Sequence, residues 1–188
     1  MRNITREEFL DLFRRMRHGA FRLELRDHYN VPAERERWEA FQEADWARLD
    51  ALNRVQRAAW MELMRSVAAA GRSVERVRVV TEPPTDYVRF ELRSNSGNAE
   101  AGEDIRYLAR DLAAGLDLPA DDYWMFDSRQ VAIMRFGGDD VLKAIGLVDD
   151  PDIVAHYVAG RHAVWSRAVP YEEYVRRWPV GAEHSSGA

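Results

Sequence analysis

Chemistry in this chain has to be sought among Arg, Glu, Asp, Tyr and His, because it contains no cysteine. Disulfides, thiolate metal sites and cysteine nucleophiles are therefore excluded. The histidines are His18, His28, His156, His162 and His184, and none sits in a His-Glu-x-x-His pattern. His156 and His162 are too far apart in register to share a helical face. Asp152 and His156 do share one, but an acid in a helix's first turn is explained by the helix dipole. Neither a metal nor a cofactor is expected. Asp121-Asp122, Asp139-Asp140 and Asp149-Asp150 are adjacent acids whose side chains diverge, and turns or helix caps account for all three. Gly137-Gly138 reads as a turn, and there is neither a phosphate-loop glycine pattern nor a Gly-x-Ser-x-Gly elbow.

The remaining polar group lies between Gly71 and Phe136. The stretch from Arg76 to Glu91 reads as two half-buried strands around the turn Pro83-Pro84. Val74, Val77, Val79 and Val80 alternate partly with Arg76 and Arg78. Val88, Phe90 and Leu92 then point one way, and Tyr87, Arg89, Glu91 and Arg93 the other. This puts Arg76, Arg78, Tyr87, Arg89 and Glu91 on the face opposite the valines. On a solvated face they form weak cross-strand ion pairs, the arrangement that strand patterning favours. Under a covering helix or partner, buried Arg–Glu pairing and an anion pocket follow instead. Arg161 falls within the apolar stripe of the last long helix, where it snorkels to the surface or reaches Glu82, Glu91 or Glu103. A cavity lined by Arg89, Glu91, Glu103 and Arg106 would favour an enzyme. The candidate ligand-binding residues are Glu82, Tyr87, Arg89, Glu91, Glu103, Arg106, Asp127 and Arg161, with no catalytic residue assigned.

The elements that must position these groups follow from pattern. Thr5 and Glu8 have capping-box spacing, followed by Phe9, Leu12, Phe13, Met16 and Ala20 on one helical face, with Gly19 as its end. Phe21 to Arg26 alternates strictly and reads as a strand with one buried face. From Ala33 to Ala70 the pattern is helical, broken near Ala44-Asp45 and stopped at Gly71. Its aromatic stripe is read as core. Ser94 to Gly102 is a loop with a helical turn, and Ile105 to Leu108 a strand. Tyr123–Phe126 and Gln130–Phe136 form a hairpin, and Val141–Val148 follows the turn at Gly137–Asp140. Asp150-Pro151 starts the last long helix, and Tyr171–Trp178 adds a turn or two. The expected fold is α/β (α+β): one domain over 1–178, a mixed, mostly antiparallel sheet of about five to seven strands flanked by helices, and a helical N-terminal region. The 33–70 segment packs on the sheet, and 179–188 is expected to be a disordered tail.

Composition narrows the partners. The 188 residues carry a net charge of -5, with 46% apolar and 31% charged side chains, enough for one real core. From Asn95 to Gly160 there are 13 acids against 5 bases. Such an acidic body argues against nucleic acid as the main partner and fits simple solubility or a basic partner protein. Only one of the 27 basic residues, Lys143, is lysine, which points to a GC-rich genome. Without an apolar span of about 18 residues, neither a membrane nor export is expected, and the location is read as cytoplasmic.

The stretch Arg76–Glu91, with Asn98–Arg106, Leu118-Pro119 and Asp122–Asp127, resembles an actinobacterial family of unknown function. Ala20–Glu24, Asp150-Pro151, Arg161 and Ala168–Pro170 carry the same likeness. Members are common in streptomycetes, and many are encoded beside helix-turn-helix regulators of the WhiJ type. The resemblance implies a non-catalytic accessory protein that binds a partner regulator or a small ligand; a homodimer is a further expectation. The alternative is an enzyme of specialised metabolism using Arg, Glu, Tyr and Asp. A weaker similarity is to the phospholipase-D-like fold, whose active members need a His-x-Lys pair. Here Ala163-Val164 follows His162, Tyr157-Val158 follows His156, and the sole lysine is elsewhere, so the similarity implies a degenerate or toxin-like component at most.

Overall fold

The Thr5–Glu8 capping box is present in the computed structural model, which describes residues 1–181. Glu8 N–H donates to Thr5 Oγ1 at 3.1 Å, and Thr5 N–H donates to Glu8 Oε2 at 2.8 Å. This opens α1 (Arg6–Arg15), which buries Phe9, Leu12 and Phe13. The helix is preceded by β1 (Arg2–Ile4) and stops at Met16. Gly19, expected to end the helix, instead begins β2 (Gly19–Glu24). A Cβ there would lie 2.6 Å from the Ser73 carbonyl oxygen, so the approach of the neighbouring strand requires glycine.

A 3-10 turn at Pro32–Glu34 leads into α2 (Arg35–Gln42), α3 (Trp46–Gln56) and α4 (Ala58–Ala69). The break at Ala44-Asp45 is where the pattern puts it, and the Asp45 carboxylate accepts the Arg48 N–H at 3.0 Å to cap α3. A second break, at Arg57, has no sequence signal of its own.

The remaining strands are β3 (Ser73–Val80), β4 (Glu103–Ala109), β5 (Asp122–Phe126), β6 (Gln130–Phe136), β7 (Leu142–Val148) and β8 (Val169–Pro170). Together the strands form one sheet in the order β1-β7-β6-β5-β2-β3-β4-β8. Among the described residues, only β2–β3 and β3–β4 pair in parallel. The mixed, mostly antiparallel α/β fold agrees with expectation, with slightly more strands because short β1 and β8 extend the two edges.

One expected strand is a helix. Residues Asp86–Ser94 form α5, capped by Thr85 Oγ1, which accepts the Val88 N–H at 3.3 Å. Val88, Phe90 and Leu92 satisfy strand alternation, but Val88 and Leu92 are also one helical turn apart, and the Thr85 cap selects the helix. Both β3 and β4 then run in parallel, as a strand–helix–strand crossover allows. A short α6 (Ser96–Glu100) completes that crossover, and α7 (Arg110–Ala113) follows β4.

Near the end of the chain, Asp150 caps α8 (Pro151–Trp165), and α9 (Tyr171–Arg177) packs near β4. Strand alternation sends Ala20, Trp124 and Phe126 to the sheet face under α1 and α4. It sends Phe21, Leu23, Val77 and Tyr123 to the face under α8. Both faces are thus covered, and β2, read as half-buried, lies inside the sheet with Phe21, Leu23 and Glu24 all buried. Val180, placed in the expected tail, packs against the cluster around Tyr107 and Tyr174. The rest of that tail, 182–188, lies outside the described residues.

Candidate functional site

The face under α4 and α5 carries charge where the other carries valine. Period-two alternation sends Arg22 and Glu24 of β2, Arg76 and Arg78 of β3, and Glu103 and Tyr107 of β4 to that side. Register puts Arg22 opposite Arg76 and Glu24 opposite Arg78. Arg76 donates from Nε and Nη2 to Glu103 Oε1 at 2.8 and 2.6 Å, and from Nη1 to Glu24 Oε2 at 3.4 Å. Arg78 Nη1 donates to Glu91 Oε2 on α5 at 3.0 Å. Arg76, Arg78, Glu24, Glu91 and Glu103 are all buried. Guanidinium and carboxylate groups can be buried in this way only when they compensate one another.

The network continues upward. Glu103 Oε2 accepts from Asn98 Nδ2 at 2.7 Å, and Asn98 Oδ1 accepts from Arg57 Nη2 at 2.8 Å. Arg57 also donates to the Ser94 carbonyl at 2.7 Å, which holds the α3–α4 break onto the end of α5. Asn95 Nδ2 donates to Tyr107 Oη at 3.0 Å. Two further acids, Glu34 from the turn after β2 and Asp122 from β5, lie beside the network. Glu34 accepts from Tyr87 Oη at 2.9 Å and pairs with Arg37 at 3.0 Å. Asp122 accepts the Tyr29 hydroxyl and the Leu25 N–H.

Protonation follows from these neighbours. Burial raises Glu24, but the Arg22, Arg78 and Arg76 guanidiniums outweigh it and hold the carboxyl at about 2. Burial and then the charge of Glu91 lift Glu34 to about 6, against the pull of Arg37. Burial also lifts Asp122, despite the hydrogen bond from Tyr29.

Beside this network is a cleft of about 420 Å³. Its walls are Phe9, Trp60, Trp124, Met134 and Phe136, and its floor is Arg22, Glu24, Arg57, Arg76, Glu34 and Glu91. Exposed Val31 and Leu142 stand at its edge. Among the described residues, Glu91 Oε1 and Arg22 Nε are buried without a hydrogen-bond partner. An apolar cavity with a few convergent polar groups is the usual form of a small-molecule site.

A family model described as a domain of unknown function (DUF6879) matches residues 7–176. The chain belongs to this family. No curated protein matches it by sequence. Among solved structures, the DUF6879 chain is similar to Nuc from Salmonella typhimurium, a phospholipase D family member. That match has a TM-score of 0.51 and 11% identity, and covers 88% of this chain and 90% of that one. Two others score lower. TrmBL2, an archaeal chromatin protein, gives a TM-score of 0.41 and 10% identity over 87% of this chain and 49% of its own. Phosphatidylserine synthase from Haemophilus influenzae Rd KW20 gives 0.43 and 12% over 88% and 37%. The DUF6879 chain thus spans about half and about a third of those two. At such identities the likeness to Nuc is one of fold.

The DUF6879 chain gathers only some of the residues picked from sequence. Glu91 and Glu103 join the buried network, and Tyr87 lies beside it, bonded to the Glu34–Arg37 pair. Arg89 is half-buried on α5 and makes no ion pair among the described residues. Arg106 is on the opposite sheet face, paired with Asp104 and stacked 3.8 Å from the Trp165 ring centroid. Arg89, Glu91, Glu103 and Arg106 therefore do not converge, because one-residue steps along β4 change face. Arg161 reaches none of its three expected acids and pairs instead with Glu75 at 2.5 Å across the α8 face. Exposed Glu82 lies near Tyr174, whose hydroxyl its charge helps to push up, behind the effect of burial.

Asp127 is occupied structurally. Its carboxylate accepts the backbone N–H groups of Arg17, His18 and Gly19 at 2.8, 2.8 and 3.1 Å. Burial raises it, but those three bonds bring its pKa below the ordinary carboxylate value. Asp122, read as a turn residue, is a buried strand position. No group of three or more His, Asp or Glu side chains suited to a metal occurs among the described residues, and none of their helices is long and apolar enough to cross a membrane.

Sequence reasoning also left residues out of the site. Strict alternation puts Arg22 and Glu24 on the open face of a half-buried strand, and Arg57 falls in the helical 33–70 segment expected only to pack on the sheet. A signal was present in Glu24 of β2 and Arg78 of β3, opposite charges that face each other when the strands are adjacent.

Proposed function

We propose that this chain is a non-catalytic ligand-binding protein that uses a phospholipase-D-like fold as its scaffold and the cleft beside the buried ion network as its site. The observation that carries this reading is the cleft itself, an aromatic-walled cavity on which the charged side chains of Arg22, Glu24, Glu34, Arg57, Arg76 and Glu91 converge. Apolar walls bury the body of a small molecule, and a few convergent polar groups orient it.

A phosphodiesterase mechanism of the His-x-Lys kind has no support in the side chains. Lys143 is exposed and paired with Asp139 at 2.7 Å. His156 and His162 are exposed on α8, and Asp127 spends its carboxylate on backbone N–H groups. The regulatory role implied by the family resemblance fits a protein that reports a bound ligand to a helix-turn-helix partner. Retention of a neighbouring regulator on the immobilised protein tests that role.

The cleft is tested by soaking crystals of the protein with small aromatic fragments of positive, neutral and negative charge. Fragments ordered between Trp60, Trp124 and Phe136 are the expected result. Fragments that collect only elsewhere, with the cleft filled by solvent, would remove the reading.

A further inference from the structure

The carboxylates on the floor of the cleft are fully subscribed. Glu34 meets Arg37 through Oε1 at 3.0 Å and accepts from Tyr87 through Oε2 at 2.9 Å. Glu91 Oε2 accepts from Arg78 at 3.0 Å, and its other oxygen is buried out of reach. Three guanidiniums share Glu24, those of Arg22 at 2.7 Å, Arg78 at 3.3 Å and Arg76 at 3.4 Å. Asp122, the remaining carboxylate beside this layer, accepts from Tyr29 and Leu25 and does not line the cleft.

The arginines are not all used. Arg76 is, since its three nitrogens donate to Glu103 and Glu24. Arg57 donates only to neutral groups, on Ser94, Asn95 and Asn98, and is in no ion pair among the described residues. Burial works against its charge, and Glu91 and Glu103 act on it only from beyond ion-pair distance. Arg22 is the most open. Its Nη2 meets the shared Glu24 and its Nε is buried, but Nη1 has no partner among the described residues and keeps accessible surface. The Arg22 side chain is 20% exposed, against 4% for Glu24, and its guanidinium lies 5.4 Å from the Trp124 ring centroid. A guanidinium edge with a free donor beside an aromatic wall suits a carboxylate carried on an apolar body.

Resting on the ligand-binding reading of the cleft, we infer that its ligand is an organic carboxylate with a single negative charge. Arg22 Nη1 receives the carboxylate, and the apolar body lies along Trp60, Trp124 and Phe136. Arg57, on the same cavity without a carboxylate of its own, favours the same sign. An ammonium would find every carboxylate oxygen of the floor engaged or buried. A phosphate dianion would bring a second charge toward Glu24, Glu34 and Glu91 with one open guanidinium to hold it.

The test compares phenylacetate, phenethyl alcohol and phenethylamine, three probes of similar size and different charge, by NMR titration at neutral pH. Spectra are assigned so that shifts in the cleft can be located. Phenylacetate is expected to bind there at least about tenfold more tightly than the alcohol, as a charge-assisted hydrogen bond implies. Arg22→Gln should bring the acid and the alcohol level, and Arg22→Lys, which keeps the charge but not the planar fork, should restore part of the preference. If Arg22→Gln does not fold, the order of the three probes on the wild type decides the matter. Cleft binding in which the alcohol or the amine equals or exceeds phenylacetate would overturn the carboxylate assignment and leave the ligand-binding reading intact, as would a folded Arg22→Gln that keeps the whole preference. If none of the three enters the cleft, both fall.

Discussion

Glu24 and Arg78 face each other across the parallel β2–β3 register, with Glu24 Oε2 3.3 Å from Arg78 Nε, and both are buried. This pair sits at the centre of a charged layer where a sheet covered on both faces would ordinarily carry aliphatic side chains. Its cost is tolerable because Arg22, Arg76, Glu91 and Glu103 complete the compensation.

Breaking that compensation should be severe. Arg78→Met leaves Glu24 and Glu91 without a shared cation and is expected to cost about 3–5 kcal/mol in urea denaturation. A loss under about 1 kcal/mol would mean that the layer is hydrated in solution.

Acid should act on Glu24. Its folded pKa of about 2 lies below its ordinary 4.5, so its stabilisation is complete above pH 4.5 and is lost as pH falls through 2. Glu24→Gln should therefore flatten the acid limb of the stability curve, and an unchanged limb would place the transition on other carboxylates.

Glu34 has the opposite sign. Its folded value of about 6 lies above 4.5, so the native state binds the proton more tightly, and a penalty present above pH 6 is relieved as pH falls toward 4.5. The relief is on the order of 2 kcal/mol at most. Wild type should gain on Glu34→Gln across that window in paired thermal melts at pH 5 and pH 7. A constant difference between the two proteins would count against the lift that burial and then Glu91 give the Glu34 carboxyl.

Arg57 is expected to behave as a clasp. Arg57→Ala leaves the buried Asn98 Oδ1 without its donor and the α3–α4 break untied from Ser94, a loss of about 1–3 kcal/mol. Hydrogen exchange should quicken in α6 and at the end of α5 before it does in β2. Arg57→Lys keeps the charge but not the fork, and should recover only part of the loss.

Asp127 separates structure from ligand binding. Asp127→Ala strips acceptors from three backbone N–H groups and should cost about 1–3 kcal/mol, with cleft binding unchanged in the folded fraction. A folded variant that no longer binds in the cleft would bring Asp127 back as a functional residue.

Wherever a local rule decides, the sequence was readable. The Thr5–Glu8 box, the break at Asp45, the hairpin of Tyr123–Phe126 and Gln130–Phe136, and the Asp150-Pro151 helix start all stand where residue type puts them. Residues 86–94 failed because Val88, Phe90 and Leu92 satisfy two periods at once. That one change converted a presumed hairpin into a crossover, and so moved Tyr87 and Glu91 from the sheet to the helix above it.

By itself, the sequence determined the fold class, the alternation that separates Arg76 and Arg78 from Val77 and Val79, and the absence of cysteine chemistry. Tertiary structure alone decided that the charged face is covered, that Arg57 closes it from a distant helix break, and that Arg106 and Arg161 serve the other side. The reason is that alternation specifies which side chains share a face, whereas burial and pairing depend on which segment is laid over that face.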